Sequence, residues 1–351
     1  MNHSCIQKLF SIKYPILQGP FGGGLSSVEL VAAVSNAGGL GGYGAYQLQP
    51  GEIEELIADI RKKTNQPFNI NLWVNDADIE AAQLSDENYA AIANNYKPFF
   101  DELNIPLPPK PEAAYSKFEQ QAEVILKCKP AVFSFVFGIP DKTILIECKK
   151  QGIKTIGAAT TLDEAVTLEE ANVDAIIASG FEAGGHRPSF LKPAEDSLHG
   201  TFVLVSQIAK NVKTPVIAAG GIADAGGVKA TMELGASAVQ IGTAFLACKE
   251  SGASDIYRSI IFSDRAKYTT LTKSFTGRLG RGTSGVVAEN SSNLPTLPFP
   301  LQTKFMSPLR KAAEEQGKTE MLTYWMGQNA SLVKFKDVNT LFKSLLQGFD
   351  E

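Results

Sequence analysis

The chain has 351 residues, 44% of them hydrophobic, enough to bury a sizeable core either as two ordinary domains or as one large α/β barrel. With 33 basic against 37 acidic residues and a net charge of -4, no electrostatic excess draws in nucleic acid or an anionic membrane, so the expected partner is a small molecule. Cys5, Cys128, Cys148 and Cys248 form no CxxC pair and have no histidine at ligand spacing, which predicts four buried thiols in place of a metal site or a disulfide framework.

The opening segment "MNHSCIQKLFSIKYP" lacks the basic start and apolar run of a signal peptide, and no apolar run approaches the ~18 residues of a membrane span, so a cytoplasmic protein is expected. Short apolar runs then recur: "PILQG" (15–19), "LGGYG" (40–44), "FNINLWV" (68–74), "AVFSFVFG" (131–138), "KTIGAAT" (154–160), "AIIASG" (175–180), "PVIAAGG" (215–221) and "AVQIGTAFL" (238–246). Eight strands alternating with helical patterns predict a TIM-type (β/α)8 barrel, and near-continuous apolar strands such as "PVIAAGG" suit a parallel sheet buried on both faces. Helix starts are signposted by Ser26 with Glu29, by Thr161 with Glu164, and by Asp224; Gly38 and Gly235 mark ends.

Most strand starts lie one strand-plus-helix unit apart, but the gaps after the third and sixth runs are 63 and 40 residues and carry insertions. The expected organisation is a barrel over 1–74 and 128–260, a mostly helical insertion over its mouth at 75–127, and a C-terminal extension at 261–351 that packs on barrel and lid. The extension holds "TGRLGRGT" and "TYWMGQNAS".

In such a barrel the site is built from loops at the carboxyl ends of the strands, with phosphate often held after strands seven and eight. Those loops contain Gly220, Gly221, Gly242 and Thr243, whose backbone N–H groups, hydroxyl and following helix N-termini suit an anion; the alternative is that the glycines only permit tight turns. Asn71 sits in an otherwise apolar third strand, where its amide must find partners in the protein or on a flavin ring. His186 follows Gly184 and Gly185 at the end of the sixth strand, where a general base belongs, whereas His3 and His199 lack such a setting. Arg187 has two readings, a substrate anion or pairing with Glu182, and Arg278 and Arg281 share that ambiguity, with the solvent surface as the commoner outcome.

The segments "PILQGPFGGGLSSVELVAAVSNAGGLGGYGA" (15–45), "FNINLWV", "SFVFGIP" (134–140), "SGFEAGGHRP" (179–188), "PVIAAGGIADAGGVKATMELGASAVQIGTAFLACKES" (215–251) and "YWMGQ" (324–328) resemble, in this order, the class I nitronate monooxygenases, formerly 2-nitropropane dioxygenases. The resemblance implies an FMN barrel that oxidises alkyl nitronates such as propionate 3-nitronate with molecular oxygen, giving an aldehyde or ketone plus nitrite, in a monomer or homodimer. It places the catalytic histidine on His186. Flavin contacts fall on Gln18, Gly19, Pro20, Asn71, Ser179, Gly184, Gly185, Gly220, Gly221, Gln240, Ile241, Gly242 and Thr243, with no metal. Two departures stand out, Ser179 where the family usually has glutamine and Pro188 where it has glycine. Two rival expectations are a flavin-dependent enoyl-acyl-carrier-protein reductase using NAD(P)H, which shares the "EAGGH" loop, and a flavin-binding protein without turnover. The long insertion and the "HR" pair favour the monooxygenase.

Overall fold

The computed structural model describes residues 4–349. Its principal sheet contains β1 (Ile16–Gln18), β2 (Gly41–Gly44), β3 (Phe68–Trp73), β4 (Val132–Val136), β5 (Lys154–Ala159), β6 (Ala175–Ser179), β8 (Val216–Ala219) and β9 (Ala238–Ile241), while β7 (Gly185–His186) belongs to a second sheet. All eight lie within the apolar runs of the sequence, although the last run overshoots, because β9 stops at Ile241 and Thr243 starts a short helix. The strands are parallel in the order β1-β9-β8-β6-β5-β4-β3-β2, and a bridge between Leu17 and Leu40 joins the two ends of the sheet. The result is the expected TIM-type barrel. Its interior packs Leu17, Ile156, Ala158, Ile177, Ile217 and Ala219 with Ile6 and Phe10 from α1 (Ser4–Phe10).

Around the strands stand α2 (Val28–Asn36) and α3 (Pro50–Lys63), then, after the excursion helix α4 (Asp86–Glu102), α5 (Phe118–Cys128), α6 (Lys142–Gln151), α7 (Leu162–Glu170), α8 (Thr201–Asn211) and α9 (Ala225–Glu233). The chain then leaves the ring through α10 (Thr243–Leu246), α11 (Asp255–Ile261), α12 (Val286–Asn290) and α13 (Leu301–Glu315), and returns with α14 (Val338–Leu346) between α9 and α2. Val338, Leu341, Phe342 and Leu345 form the buried stripe of α14; each contributes about 1.5–3 kcal/mol by leaving water. The last helix of the chain thus completes the ring of helices, and the segment before it is a long detour.

Two predicted caps hold: Thr161 accepts from Glu164 N–H at 3.2 Å and Asp224 from Gly227 N–H at 2.9 Å. The cap of α2 is Ser27, not Ser26, accepting from Leu30 N–H at 2.9 Å. Ser26 is drawn inward, where it accepts from Phe21 N–H and donates to Gly42 O at 3.2 Å, tying β2 to the loop after β1. The thiols also differ from expectation. Cys148 and Cys248 are buried, but Cys128 is half-buried and Cys5 exposed, because α1 turns Ile6 and Phe10 into the core.

The detours after β3 and β9 pack on each other. Phe305 of α13 meets Tyr96 and Phe100 of α4 at 5.7 and 5.2 Å between ring centres, and Gln316 donates to Leu103 O at 2.8 Å. Nearer the barrel, β10 (Thr269–Thr272) and β11 (Gly280–Thr283) form an antiparallel pair to which β7 is added. The third strand of this small sheet is the loop that carries the histidine.

Candidate active site

A cavity of about 590 Å³ opens at the carboxyl ends of the barrel strands, within the range typical of small-molecule sites. Gly19, Pro20, Asn71, Ser179, Gly184, Gly185, His186, Gly220, Gly221, Gln240, Gly242 and Thr243 all line it. Gln18 and Ile241 do not. The Gln18 side chain is buried between β1 and β2, accepting from Gly42 N–H at 2.8 Å, and the Ile241 side chain lies wholly in the core. His199 lies off this cavity, and His3 is outside the described residues.

The loops after β8 and β9 bring free backbone N–H groups to residues that line the cavity. Among the described residues, the N–H groups of Gly221, Gly242 and Thr243 have no hydrogen-bond partner in the protein. Gly220 and Gly221 adopt φ of 109° and 69°, a backbone that side-chain-bearing residues rarely take, so the turn itself requires them. At Gly242 a Cβ would meet only the Phe21 ring, at 3.7 Å; that position faces open cavity. The Thr243 hydroxyl accepts from Gly327 N–H at 2.9 Å and keeps its own proton for an anion. Farther in, the floor is apolar, with Ala158, Ile177 and Ala219, while the Gln240 Oε1 is enclosed without a partner among the described residues. An apolar floor, an unpartnered amide and a cradle of free N–H groups fit a flat heteroaromatic ring carrying a phosphate.

The glycine pair before His186 has a reason within the chain. A Cβ on Gly184 would lie 2.5 Å from the Met326 carbonyl carbon, so only glycine lets the 326–327 segment cross, and Gly185 has φ of 79°. Across the β7–β11 ladder His186 pairs with Gly280, and Arg187 N–H donates to Leu279 O at 2.8 Å. On the far side of the loop the buried Glu164 carboxylate accepts from the N–H groups of Phe190 and Leu191, at 2.6 and 3.1 Å. The loop is therefore fastened at both ends.

His186 stands in an aromatic wall: Trp73 at 5.1 Å, Trp325 at 5.4 Å, Phe299 at 6.1 Å and Phe137 at 6.4 Å between ring centres. Its Nε2 lies 2.9 Å from the Thr276 hydroxyl. Removal from water, reinforced by the Arg278 cation, pushes its pKa down to about 3, so the ring is neutral at neutral pH. That makes it a proton acceptor, not a standing cation.

Of the three arginines, Arg278 meets one of its sequence readings, pairing with a carboxylate, while Arg187 and Arg281 turn to backbone carbonyls. The Arg187 guanidinium is buried and donates to the carbonyls of Gly180 and Ser179 at 2.7 and 2.8 Å, so it serves the backbone of this loop, with the Glu182 carboxylate favouring its charge from beyond ion-pair distance. Arg281 is also buried, on Phe181 O at 2.7 Å. Arg278 lies over the Phe137 and Phe299 rings and is fixed by Asp78 at 2.6 Å. Asn71 donates to Ser134 Oγ at 3.0 Å, so its amide has a protein partner and still borders the cavity. The hydroxyl of Ser179 faces Arg187 at 3.5 Å, and Pro188 lines the cavity.

The sequence reading missed the wall of Tyr46, Trp73, Phe137 and Trp325, together with Thr276 and Arg310. Trp73 and Phe137 stand at or just past strand carboxyl ends, a position that marks them out; Thr276, Arg310 and Trp325 arrive from the detour after β9, and nothing local signals that return.

The fold and cavity define a TIM-type barrel with a small-molecule site at the carboxyl ends of its strands. The nitronate monooxygenase family model matches residues 3–348. A probable nitronate monooxygenase of Staphylococcus aureus (strain MRSA252) is 37% identical over all of this chain and 98% of its own length. Among solved structures, nitroalkane oxidase from Streptomyces ansochromogenes is similar with a TM-score of 0.88 and 30% identity, covering 97% of each chain. FabK from Thermotoga maritima has a TM-score of 0.71 and 28% identity, over 98% of this chain and 95% of its own. The chain belongs to the nitronate monooxygenase family and is a flavin-dependent oxidoreductase.

Proposed function

We propose that the protein oxidises alkyl nitronates, and the nitroalkanes in equilibrium with them, with FMN as its flavin and oxygen as electron acceptor, releasing an aldehyde or ketone and nitrite. The observation that carries this reading is a neutral His186 on the wall of a cavity that also holds the N–H cradle of Gly221, Gly242 and Thr243. That cradle suits the FMN phosphate, with Gln240 and Asn71 on the ring edge. Bound flavin supplies the chemistry of accepting the substrate's electrons and passing them to oxygen.

The chain's own residues bind and orient. Trp73, Phe137 and Trp325 give the substrate an apolar slot beside His186. The neutral imidazole accepts a proton from a nitroalkane. An anion held against it favours the charged ring, so a bound nitronate raises the pKa of His186 and gains a donor. Arg310 also lines the cavity and, among the described residues, no carboxylate lies within ion-pair distance of it; it donates to Thr323 O at 3.4 Å. A second negative charge on the substrate, as in propionate 3-nitronate, suits that guanidinium.

The higher structural similarity to nitroalkane oxidase than to FabK supports this reading over an enoyl reductase. The test is oxygen uptake and nitrite release with propionate 3-nitronate, wild type against His186→Asn, beside NAD(P)H oxidation with an enoyl thioester. Nitrite lost in the variant is expected. NAD(P)H consumption with no nitrite would overturn the reading in favour of the reductase, and flavin binding without either turnover would make the protein a non-catalytic flavin carrier.

A further inference from the structure

The segment Thr276–Arg278 sits against the histidine without belonging to the barrel. Thr276 Oγ1 lies 2.9 Å from His186 Nε2 and 3.0 Å from the carbonyl oxygen of Arg278. A hydroxyl has one proton, and a carbonyl can only accept. Both contacts are therefore hydrogen bonds at once only if Thr276 donates to Arg278 O and receives the proton of His186 Nε2. No other donor reaches the Arg278 carbonyl among the described residues.

We propose that Thr276 is a positioning residue that holds neutral His186 as the Nε2–H tautomer, leaving the Nδ1 lone pair as the atom that exchanges a proton with the substrate. Nδ1 has no protein partner among the described residues and is not among the enclosed polar atoms, so it is reached from the cavity that His186 lines. This assignment rests on the proposed role of His186. With a neutral nitroalkane, the Cα–H bond breaks and its proton goes to Nδ1. The bonding pair becomes the C=N bond of the nitronate, and the negative charge lies on the nitro oxygens. The imidazolium so formed keeps its Nε2–H bond to Thr276, so the ring does not turn during the transfer. The carbonyl of Arg278, a residue whose guanidinium is held by Asp78 and Asn75 O, keeps the hydroxyl from turning to donate to the ring.

Only three histidines occur in the chain, so nitrogen NMR of uniformly 15N-labelled holoprotein resolves His186 by difference with His186→Asn. The expected result is an Nε2–H ring in wild type, lost or mixed in Thr276→Val and restored in Thr276→Ser. With it, kcat for a nitroalkane falls at least tenfold in the valine variant, while flavin occupancy and KM for nitronate stay within about twofold; general acid–base catalysis contributes about 10²–10⁴. An Nδ1–H ring in wild type, or an unchanged tautomer in Thr276→Val, would overturn the assignment of Thr276. A wild-type protein with the expected tautomer but no nitrite from any nitro substrate would leave the positioning role standing and overturn the functional reading alone.

Discussion

Gly280 pairs with His186 across the β7–β11 ladder, so the placement of the site histidine depends on a strand contributed by the C-terminal detour. A Cβ at Gly280 would lie 3.0 Å from the Trp325 ring and 3.2 Å from Gly185 O, tighter than ordinary packing allows. Gly280→Val is expected to force this ladder apart and displace the imidazole. The added side chain meets none of Gly221, Gly242 and Thr243, so flavin absorbance should stay at one equivalent while kcat drops at least tenfold; a misplacement of about 1 Å can cost 10²-fold. A variant that turns over like wild type would show that the ladder does not position the ring.

The phosphate site is tested at Gly242. Its Cβ position opens into the cavity with only Phe21 at 3.7 Å, so Gly242→Ala meets little steric resistance in the protein alone. Gly242→Asp places a carboxylate where the cradle is proposed to receive phosphate, and two anions a few ångströms apart repel strongly in a site shielded from water. The aspartate variant should purify without FMN and melt like wild type stripped of its flavin, with alanine losing affinity far less. Flavin retained at full stoichiometry in Gly242→Asp would place the phosphate elsewhere.

The barrel was legible because each strand is a short apolar run, and because caps such as Thr161 and Asp224 sit where helix N-termini need a side-chain acceptor. The candidate site was legible as far as the barrel's own loops reach: His186, Gly221 and Gly242 follow strand ends in the sequence and border the cavity in the structure. Thr276, Arg310 and Trp325 were not, because what brings them to the cavity is the return of the chain between β9 and α14, settled by contacts such as Phe305 on Phe100. Arg187 and Arg281 misled for a related reason. Burial of Arg187 and Arg281 is offset by backbone carbonyls of the 179–181 turn that accept from them and by the nearby Glu182 carboxylate, and carbonyl directions do not appear in a sequence pattern.

Acid sensitivity follows from the neutral ring. The folded protein holds the pKa of His186 near 3, against 6.5 when exposed, because burial and then Arg278 disfavour the charge. Below about 6.5 the unfolded chain binds this proton and the folded one does not, so the ring lowers native stability progressively as pH falls toward about 3, by at most about 1.4 kcal/mol per pH unit. The groups facing it are Thr276, Arg278 with its partner Asp78, and the rings of Trp73, Phe137, Phe299 and Trp325. Urea unfolding of substrate-free protein should show wild type losing stability more steeply than His186→Asn across this window. Parallel acid limbs for the two proteins would mean that His186 titrates normally.

The guanidinium of Arg310 is the remaining test of substrate class. It lies over the Phe275 ring at 5.2 Å and borders the cavity, while Glu314, one helical turn on, borders it too but forms no ion pair with it. A substrate carboxylate would give this cation the charge-assisted partner that the protein does not, an interaction of about 1.5–3 kcal/mol. Arg310→Gln should therefore raise KM for propionate 3-nitronate by about tenfold to a hundredfold and change KM for ethylnitronate, which has no carboxylate, by less than about threefold. The comparison between the two substrates separates recognition from damage, since a general disturbance of the cavity would weaken both. Equal effects on the two KM values would remove Arg310 from substrate binding and leave the aromatic wall as the only determinant of specificity.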